Sequence, residues 1–224
     1  MSGARRAEFH SHTVLTDGEV VGIEMIRHAV LKGLRSIAVT DHVSFGNLEW
    51  VVEAEIAECE LARDWEIAAI PGVEITHVPP QRLDEAVRKA RSAGAKIVVV
   101  HGETLAEPVL AGTNRAAVSN PEVDILAHPG FLTPEEADLA RSNDVFVELS
   151  GRRVHMVANG HIARIGEGSH ATMIVDSDAH EPKELLTQEE AVRVARAAGL
   201  DEAHVDGATV RAQDALLKRL GLAP

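Results

Sequence analysis

Two histidines stand one residue apart near the start of the chain, in Glu8-Phe9-His10-Ser11-His12-Thr13, and Asp17-Gly18 follows a few residues later. In an extended segment, residues i and i+2 point to the same side. His10 and His12 can therefore aim two imidazoles at one point, while Ser11 faces the other way. Asp178 and His180 repeat this spacing late in the chain. Between them, single acids and histidines stand where apolar runs stop: His42, Glu74, His101 and His128. Imidazole nitrogens and carboxylate oxygens are the donor set of zinc, manganese and iron sites. One ion takes about three or four protein donors and leaves positions open for water and substrate. Nine candidates, His10, His12, Asp17, His42, Glu74, His101, His128, Asp178 and His180, are too many for one ion. They suit two or three, with a carboxylate such as Glu74 as bridge. A lone histidine at a strand end is usually solvated or hydrogen-bonded. Six that each close an apolar run are not accounted for that way. His28, His77, His155, His161, His170 and His204 lie off the pattern. Asp41 reads as structural, because its side chain leaves the strand on the face opposite to that of His42.

The elements that must carry these residues are visible as apolar runs. Strands are predicted over Ala7–His10, Ser36–Thr40, Ile67–Val73, Lys96–Val100, Val123–Ala127, Val145–Leu149 and Thr172–Val175, with Asp201–Val205 as a possible short eighth. Amphipathic stretches separate them. Ile23, Ile26 and Val30 share one helical face, and further helices are predicted over about 48–63, 81–93, 134–142 and 188–198. Gly33, Gly94 and Gly199 stand where helices should stop. Alternating strands and helices indicate α/β with parallel strands. An open doubly wound sheet and a (βα) barrel both fit. The first strand has no glycine-rich phosphate loop, and polar residues end nearly every strand. An open sheet gathers its ligand at one switch point, whereas a barrel collects residues from all its strand ends. A TIM-like (βα) barrel, one domain over residues 1–224, is the expectation.

Composition bounds the partners. The formal charge is −13, which disfavours a broad surface for phosphate backbones. Bound divalent cations would offset that charge locally. Arg5 and Arg6 have no apolar run behind them, and no run approaches the roughly 18 residues of a membrane span. The single cysteine, Cys59, excludes a disulfide framework, so a reducing cytoplasm is the simplest setting. No membrane partner is expected, and nucleic acid is disfavoured. Oligomeric state is not readable.

Taken in order, H-x-H, D-G, D-H, G-V-E, V-H-G-E, A-H-P-G and D-S-D-A-H resemble the PHP (polymerase and histidinol phosphatase) superfamily, over nearly the whole span from His10 to Pro182. The strings "GVEITHVPP", "GTNRAA" and "VDSDAHEP" look like a small stand-alone, histidinol-phosphatase-like branch. The resemblance implies a distorted (βα)7 barrel with three divalent ions, Zn, Mn or Fe. Carried over, the first ion falls to His10, His12, Glu74 and Asp178. The second falls to Glu74, His101 and His128, and the third to Asp17, His42 and His180. Some relatives have histidine at the Asp17 position. The implied reaction is phosphate-ester hydrolysis by a hydroxide bridging two ions, with no side-chain nucleophile. The partner the resemblance implies is a small phosphorylated metabolite, and one of Arg152 and Arg153, just after the sixth strand, is the favoured phosphate clamp, since guanidinium matches phosphate in a bidentate fork. Arg115, His77 and His161 are weaker candidates for substrate contact. Glu103 is a candidate for orienting a ligand histidine.

Four readings compete. A phosphomonoesterase acting on a histidinol phosphate-like or nucleotide-like compound comes first. A phosphodiesterase or exonuclease on nucleic acid is disfavoured by the acidic chain and the lack of a basic, aromatic-bearing extension. A metal-dependent amidohydrolase lacks its bridging lysine, since Lys96 begins its strand rather than ending it. A metal-free barrel like those in ribonuclease P is opposed by the complete donor set.

Overall fold

The computed structural model describes residues 6–222. Eight strands lie in one parallel sheet: β1 (Ala7–Glu8), β2 (Ser36–Val39), β3 (His42–Val43), β4 (Ala68–Ile75), β5 (Ile97–His101), β6 (Ile125–Ala127), β7 (Phe146–Ser150) and β8 (Met173–Asp176). β2 and β3 are one stave interrupted at Thr40-Asp41. Val39 pairs with Pro71 and His42 with Glu74, so both keep the same register on β4. The staves then follow in chain order around the sheet. Closure is nearly complete. Past the strand ends, His12 N–H donates to the Ala179 carbonyl at 2.8 Å. Lower down, side chains bridge the seam: Phe9 N–H donates to Asp176 Oδ1 at 3.0 Å, and Ser177 N–H to Glu8 Oε1 at 2.9 Å. The chain forms the expected distorted (βα)7 barrel.

The helices are α1 (Gly22–Leu31), α2 (Leu48–Leu61), α3 (Leu83–Ala93), α4 (Thr113–Val118), α5 (Pro134–Ser142), α6 (Asn159–Ser169), α7 (Gln188–Ala197), α8 (Glu202–Asp206) and α9 (Ala212–Arg219). α5 and α7 each start with a reciprocal capping box, Thr133 with Glu136 and Thr187 with Glu190. Gly33, Gly94 and Gly199 all have positive φ at helix ends, as expected. The predicted eighth strand is wrong. Residues 202–206 are helical, because the Asp201 side chain accepts a hydrogen bond from His204 N–H at 2.9 Å and caps the turn. Within α8 only Val205 is buried, too little for a strand face.

Two apolar layers position the site. Val73, Val98, Val100, Leu126, Val147 and Val175 face outward and pack on the helices. Ile70, Ile97, Val99, Ile125, Phe146 and Ile174 form a second cluster inside the barrel, which Leu216 and Leu217 of α9 join. α9 also hydrogen-bonds the segments that precede strands, Arg219 to the carbonyls of Pro121 and Asp144. It therefore covers the end of the barrel where the strands begin. Among the described residues no helix is long and apolar enough to cross a membrane.

Candidate metal centre

The interior rows end in polar donors because the side-chain period of a strand is two. Ile70 leads through Gly72 to Glu74, Ile97 and Val99 to His101, Phe146 to Glu148, and Ile174 through Asp176 to Asp178. His42 arrives beside Glu74 by direct strand pairing, and their Nδ1 and Oε2 lie 2.8 Å apart. His10 and His12 lie with ring centroids 5.0 Å apart, as the i, i+2 spacing requires. Ser11 turns away and donates to the Ala38 carbonyl at 2.7 Å. His128 and Asp178 have φ of 32° and 53°. Left-handed backbone at non-glycine residues costs free energy and concentrates at functional sites.

The donors converge into overlapping groups, each with its ligand-type atoms within 4.8 Å of one another: His10, His12 and Asp178; His10, Glu74 and His128; His101, His128 and His155; and His12, Asp17, His42 and His180. All nine sequence candidates are thus brought together. Asp17 reaches the cluster from a loop, with Oδ2 3.1 Å from His180 Nε2 and 3.5 Å from His42 Nε2. Gly18 makes that loop possible, since a Cβ there would lie 2.5 Å from the His12 carbonyl oxygen. Asp41 is structural as expected: it accepts hydrogen bonds from Thr13 N–H and from the Thr13 and Thr16 hydroxyls, and so braces the loop.

Whether these residues fit metal ions is tested by their hydrogen bonding. Buried polar atoms normally have partners. Here His10 Nε2, His12 Nδ1 and Nε2, Glu74 Oε1 and His128 Nδ1 are buried with none. Most of these atoms point into the shared space between the groups. The electrostatics agree. Burial works against a charged His42, yet the Glu74 and Asp17 carboxylates hold its pKa up at about 10. Burial likewise opposes a charged His10, but Glu148, Glu74 and Asp178 raise it well above the usual value. His12 and His128 are driven well down, chiefly by burial. Without a cation, the buried carboxylates recruit protons onto some imidazoles; a bound divalent ion would displace those protons, because imidazole ligates as the neutral ring.

Three residues of the cluster were not picked out as site residues. Glu148 binds His10 Nδ1 at 2.8 Å through Oε1, and its Oε2 accepts from His128 N–H at 2.8 Å. It stands two residues past Phe146 on the interior row, and that periodicity is the signal that finds it. His155 is buried in the turn after β7, where burial and His101 push its pKa down to about 4. Glu107, in the loop after β5, has Oε2 2.7 Å from His101 Nε2. No periodicity marks either of the last two.

The substrate candidates divide. Arg152 lies at the cluster edge, hydrogen-bonded to His180 Nδ1 and 3.9 Å from Asp178 Oδ1. Arg153 is exposed and lines, with Arg152 and Lys183, an adjoining cavity of about 580 Å³. His77 is exposed, with its ring 5.9 Å from that of His101. The structure does not bring Arg115 or His161 to the cluster. Arg115 is exposed on α4, and His161 on α6 bonds the Leu132 carbonyl at 2.8 Å. Glu103 orients no histidine. It accepts from Gly112 and Asn114 N–H at the start of α4.

No family model matches the chain. The uncharacterized protein MJ1295 of Methanocaldococcus jannaschii is 42% identical over 96% of this chain and all of its own length. The DNA polymerase/3'-5' exonuclease PolX of Bacillus subtilis is 25% identical over 97% of this chain, which spans 42% of PolX. Ribonuclease P protein component 3 of Methanosarcina mazei is 31% identical over 58% of each chain. Among solved structures, archaeal ribonuclease P with mature tRNA contains a chain with TM-score 0.67 and 16% identity, covering 95% of this chain and 89% of that one. Histidinol phosphate phosphatase of Lactococcus lactis, solved with zinc, L-histidinol and phosphate, gives 0.55 and 14%, covering 97% of this chain and 94% of that one. These relatives overturn the expectation of a small-metabolite partner to the exclusion of nucleic acid, because the chain is similar in sequence to a DNA polymerase/exonuclease and to ribonuclease P component 3. Net charge was a poor guide, since it averages the whole surface and says little about one face. At 42% identity over nearly the whole of both chains, this chain belongs to one family with the protein MJ1295, and its barrel and ordered strand-end motifs resemble those of the PHP (polymerase and histidinol phosphatase) superfamily.

Proposed function

We propose that the chain is a cytoplasmic metal-dependent phosphoesterase with three divalent ions of zinc, manganese or iron. The ligands would be His10, His12, Glu74 and Asp178 for the first, Glu74, His101 and His128 for the second, and Asp17, His42 and His180 for the third. The reaction is hydrolysis of a phosphate monoester, of the histidinol phosphate or nucleotide type. The observation that carries the reading is the set of buried, partnerless donor atoms on His10, His12, Glu74 and His128. When bound, such ions act as Lewis acids toward phosphoryl oxygens and bring the pKa of water down to about 7.

The chain's own residues supply orientation. Glu148 holds His10 through Nδ1 and so leaves Nε2 free toward the shared space. Arg152 at the cluster edge would donate to the phosphate oxygens that face away from the ions. Arg153 and Lys183, beside the adjoining cavity, would meet the rest of the substrate. Cys59 has no part: it is buried in α2, its thiol pushed up by burial.

A second reading, hydrolysis at a nucleic-acid phosphate, is favoured by one observation, the similarity to PolX and ribonuclease P component 3. One comparison separates the two. Metal-stripped and metal-reloaded protein is assayed on para-nitrophenyl phosphate, its bis-ester, and RNA and DNA oligonucleotides with terminal phosphates. Metal-dependent monoester turnover supports the first reading, and oligonucleotide or bis-ester cleavage alone the second. Full turnover in metal-free protein would overturn both.

A further inference from the structure

The turn after β7 runs Val154-His155-Met156, and its burial is inverted. Val154 and Met156 are 49% and 38% exposed, while His155 between them is 3% exposed. Leaving two apolar side chains in water to bury an imidazole runs against the hydrophobic effect. Something inside the barrel must compensate for burying the ring. Part of the compensation is in view. The Thr104 hydroxyl lies 2.9 Å from Nδ1 and fixes the ring from behind. The ring stacks on His128 at 3.9 Å between centroids, with an interplanar angle of 13°. The opposite nitrogen, Nε2, faces the cluster 3.7 Å from Asp178 Oδ2. It has no hydrogen-bond partner among the described residues, and Glu107 Oε1 lies 3.9 Å away.

Taken with His101 and His128, this nitrogen closes a third face around the second ion position. The donor atoms of these three histidines lie within 4.8 Å of one another. Glu74 joins them through His128, with Oε1 3.4 Å from His128 Nε2. We propose that His155 is a further protein ligand of the second ion, held in position by Thr104, so that this ion has three imidazoles and one carboxylate. The inference rests on the metal-centre reading above and adds to it a ligand that the sequence pattern leaves out. Its chemical consequence is selectivity. A nitrogen-rich set suits zinc or iron, whereas oxygen donors and water suit magnesium, calcium and manganese.

The test counts ions rather than turnover. Wild-type protein, His155→Ala and Thr104→Val are stripped with a chelator and reloaded in buffers of fixed free Zn2+. Bound zinc per chain is measured by mass spectrometry, and circular dichroism checks folding. His155→Ala should hold one zinc fewer than wild type, or need more than tenfold higher free zinc to fill it. Thr104→Val keeps the imidazole but loses its support, and should weaken the same class of site about 10- to 100-fold. Wild-type zinc content and affinity in a folded His155→Ala overturns the assignment. If His155→Ala fails to fold, wild-type zinc affinity in Thr104→Val overturns it instead. Wild-type protein that takes up no zinc, manganese or iron is a different result. It overturns the metal-centre reading itself, and this inference with it.

Discussion

Glu148 and His10 face each other across the barrel seam, Oε1 to Nδ1 at 2.8 Å, and the other oxygen of Glu148 takes the His128 N–H at 2.8 Å. One buried carboxylate therefore fixes two candidate ligands from different strands. It also sets the tautomer of His10, because a proton on Nδ1 leaves Nε2 as the free donor. Glu148→Gln preserves the shape but can present an amide N–H toward Nδ1. Metal affinity should fall about 10- to 100-fold with the fold retained, as is typical when such a supporting group is lost. Titration with Zn2+ under a competing chelator measures it, and an unchanged affinity would remove Glu148 from this role.

Arg152 is the only one of the five substrate candidates that touches the cluster itself. A hydrogen bond to a charged group contributes about 1.5–3 kcal/mol. Arg152→Ala should therefore lower kcat/KM for a phosphate monoester about 10- to 100-fold. Arg152→Lys should recover part of the loss, since lysine keeps the charge but not the fork. Bound metal should stay within a few tenths of an ion of wild type. Equal kcat/KM in Arg152→Ala would show that phosphate is held elsewhere.

Much of the fold and site was legible because a barrel turns strand ends into one place. Each apolar run announces a strand, and the polar residues just past it announce contributions to the site. His42, Glu74 and His101 are read that way, and their convergence follows from strand pairing alone. His155 was not legible. It sits in a turn without periodicity, between two apolar residues that suggest the reverse burial. Glu107 reaches His101 from an irregular loop for which sequence offers no direction. The segment Asp201–Val205 was misread because a five-residue stretch carries too few apolar positions to tell a period of two from one of 3.6. Partner choice was misjudged for a different reason: a sum of charges carries no position.

Glu55 gives the barrel wall a pH dependence separate from the metal centre. It is fully buried, and its two oxygens accept from Asp41 N–H at 3.0 Å and Gly72 N–H at 3.2 Å. Burial first, and the Asp41 carboxylate second, push its pKa well above the usual value. The folded chain thus holds this proton at pH values where the unfolded chain has released it. The contribution to stability is complete below the unfolded pKa of about 4.3 and is lost as pH rises through the folded value. Glu55→Gln cannot titrate. Whatever its offset, its Tm relative to wild type should shift in the variant's favour from pH 5 to pH 8. A constant difference would show that Glu55 carries the same proton count in both states.

Gly18 ties local backbone geometry to the third ion. Asp17 is half-exposed and reaches His180 and His42 from a loop that folds back on the end of the first strand. The Gly18 N–H donates to the Thr13 carbonyl at 2.8 Å, which tightens this turn. A Cβ at position 18 would lie 2.5 Å from the His12 carbonyl oxygen and 2.7 Å from the Thr13 Cα. Both are backbone atoms and cannot rotate away, so Gly18→Ala must push the loop outward. The barrel core does not involve this loop, so circular dichroism should be unchanged and Tm lowered by only a few degrees. Asp17 should lose its place against His42 and His180, and zinc content should fall by one ion per chain. Asp17→Asn, which keeps the glycine, should lose the same ion without the steric shift. If Gly18→Ala kept its full zinc content while Asp17→Asn lost an ion, the loop would be tolerant and the close approach at Gly18 incidental to the site.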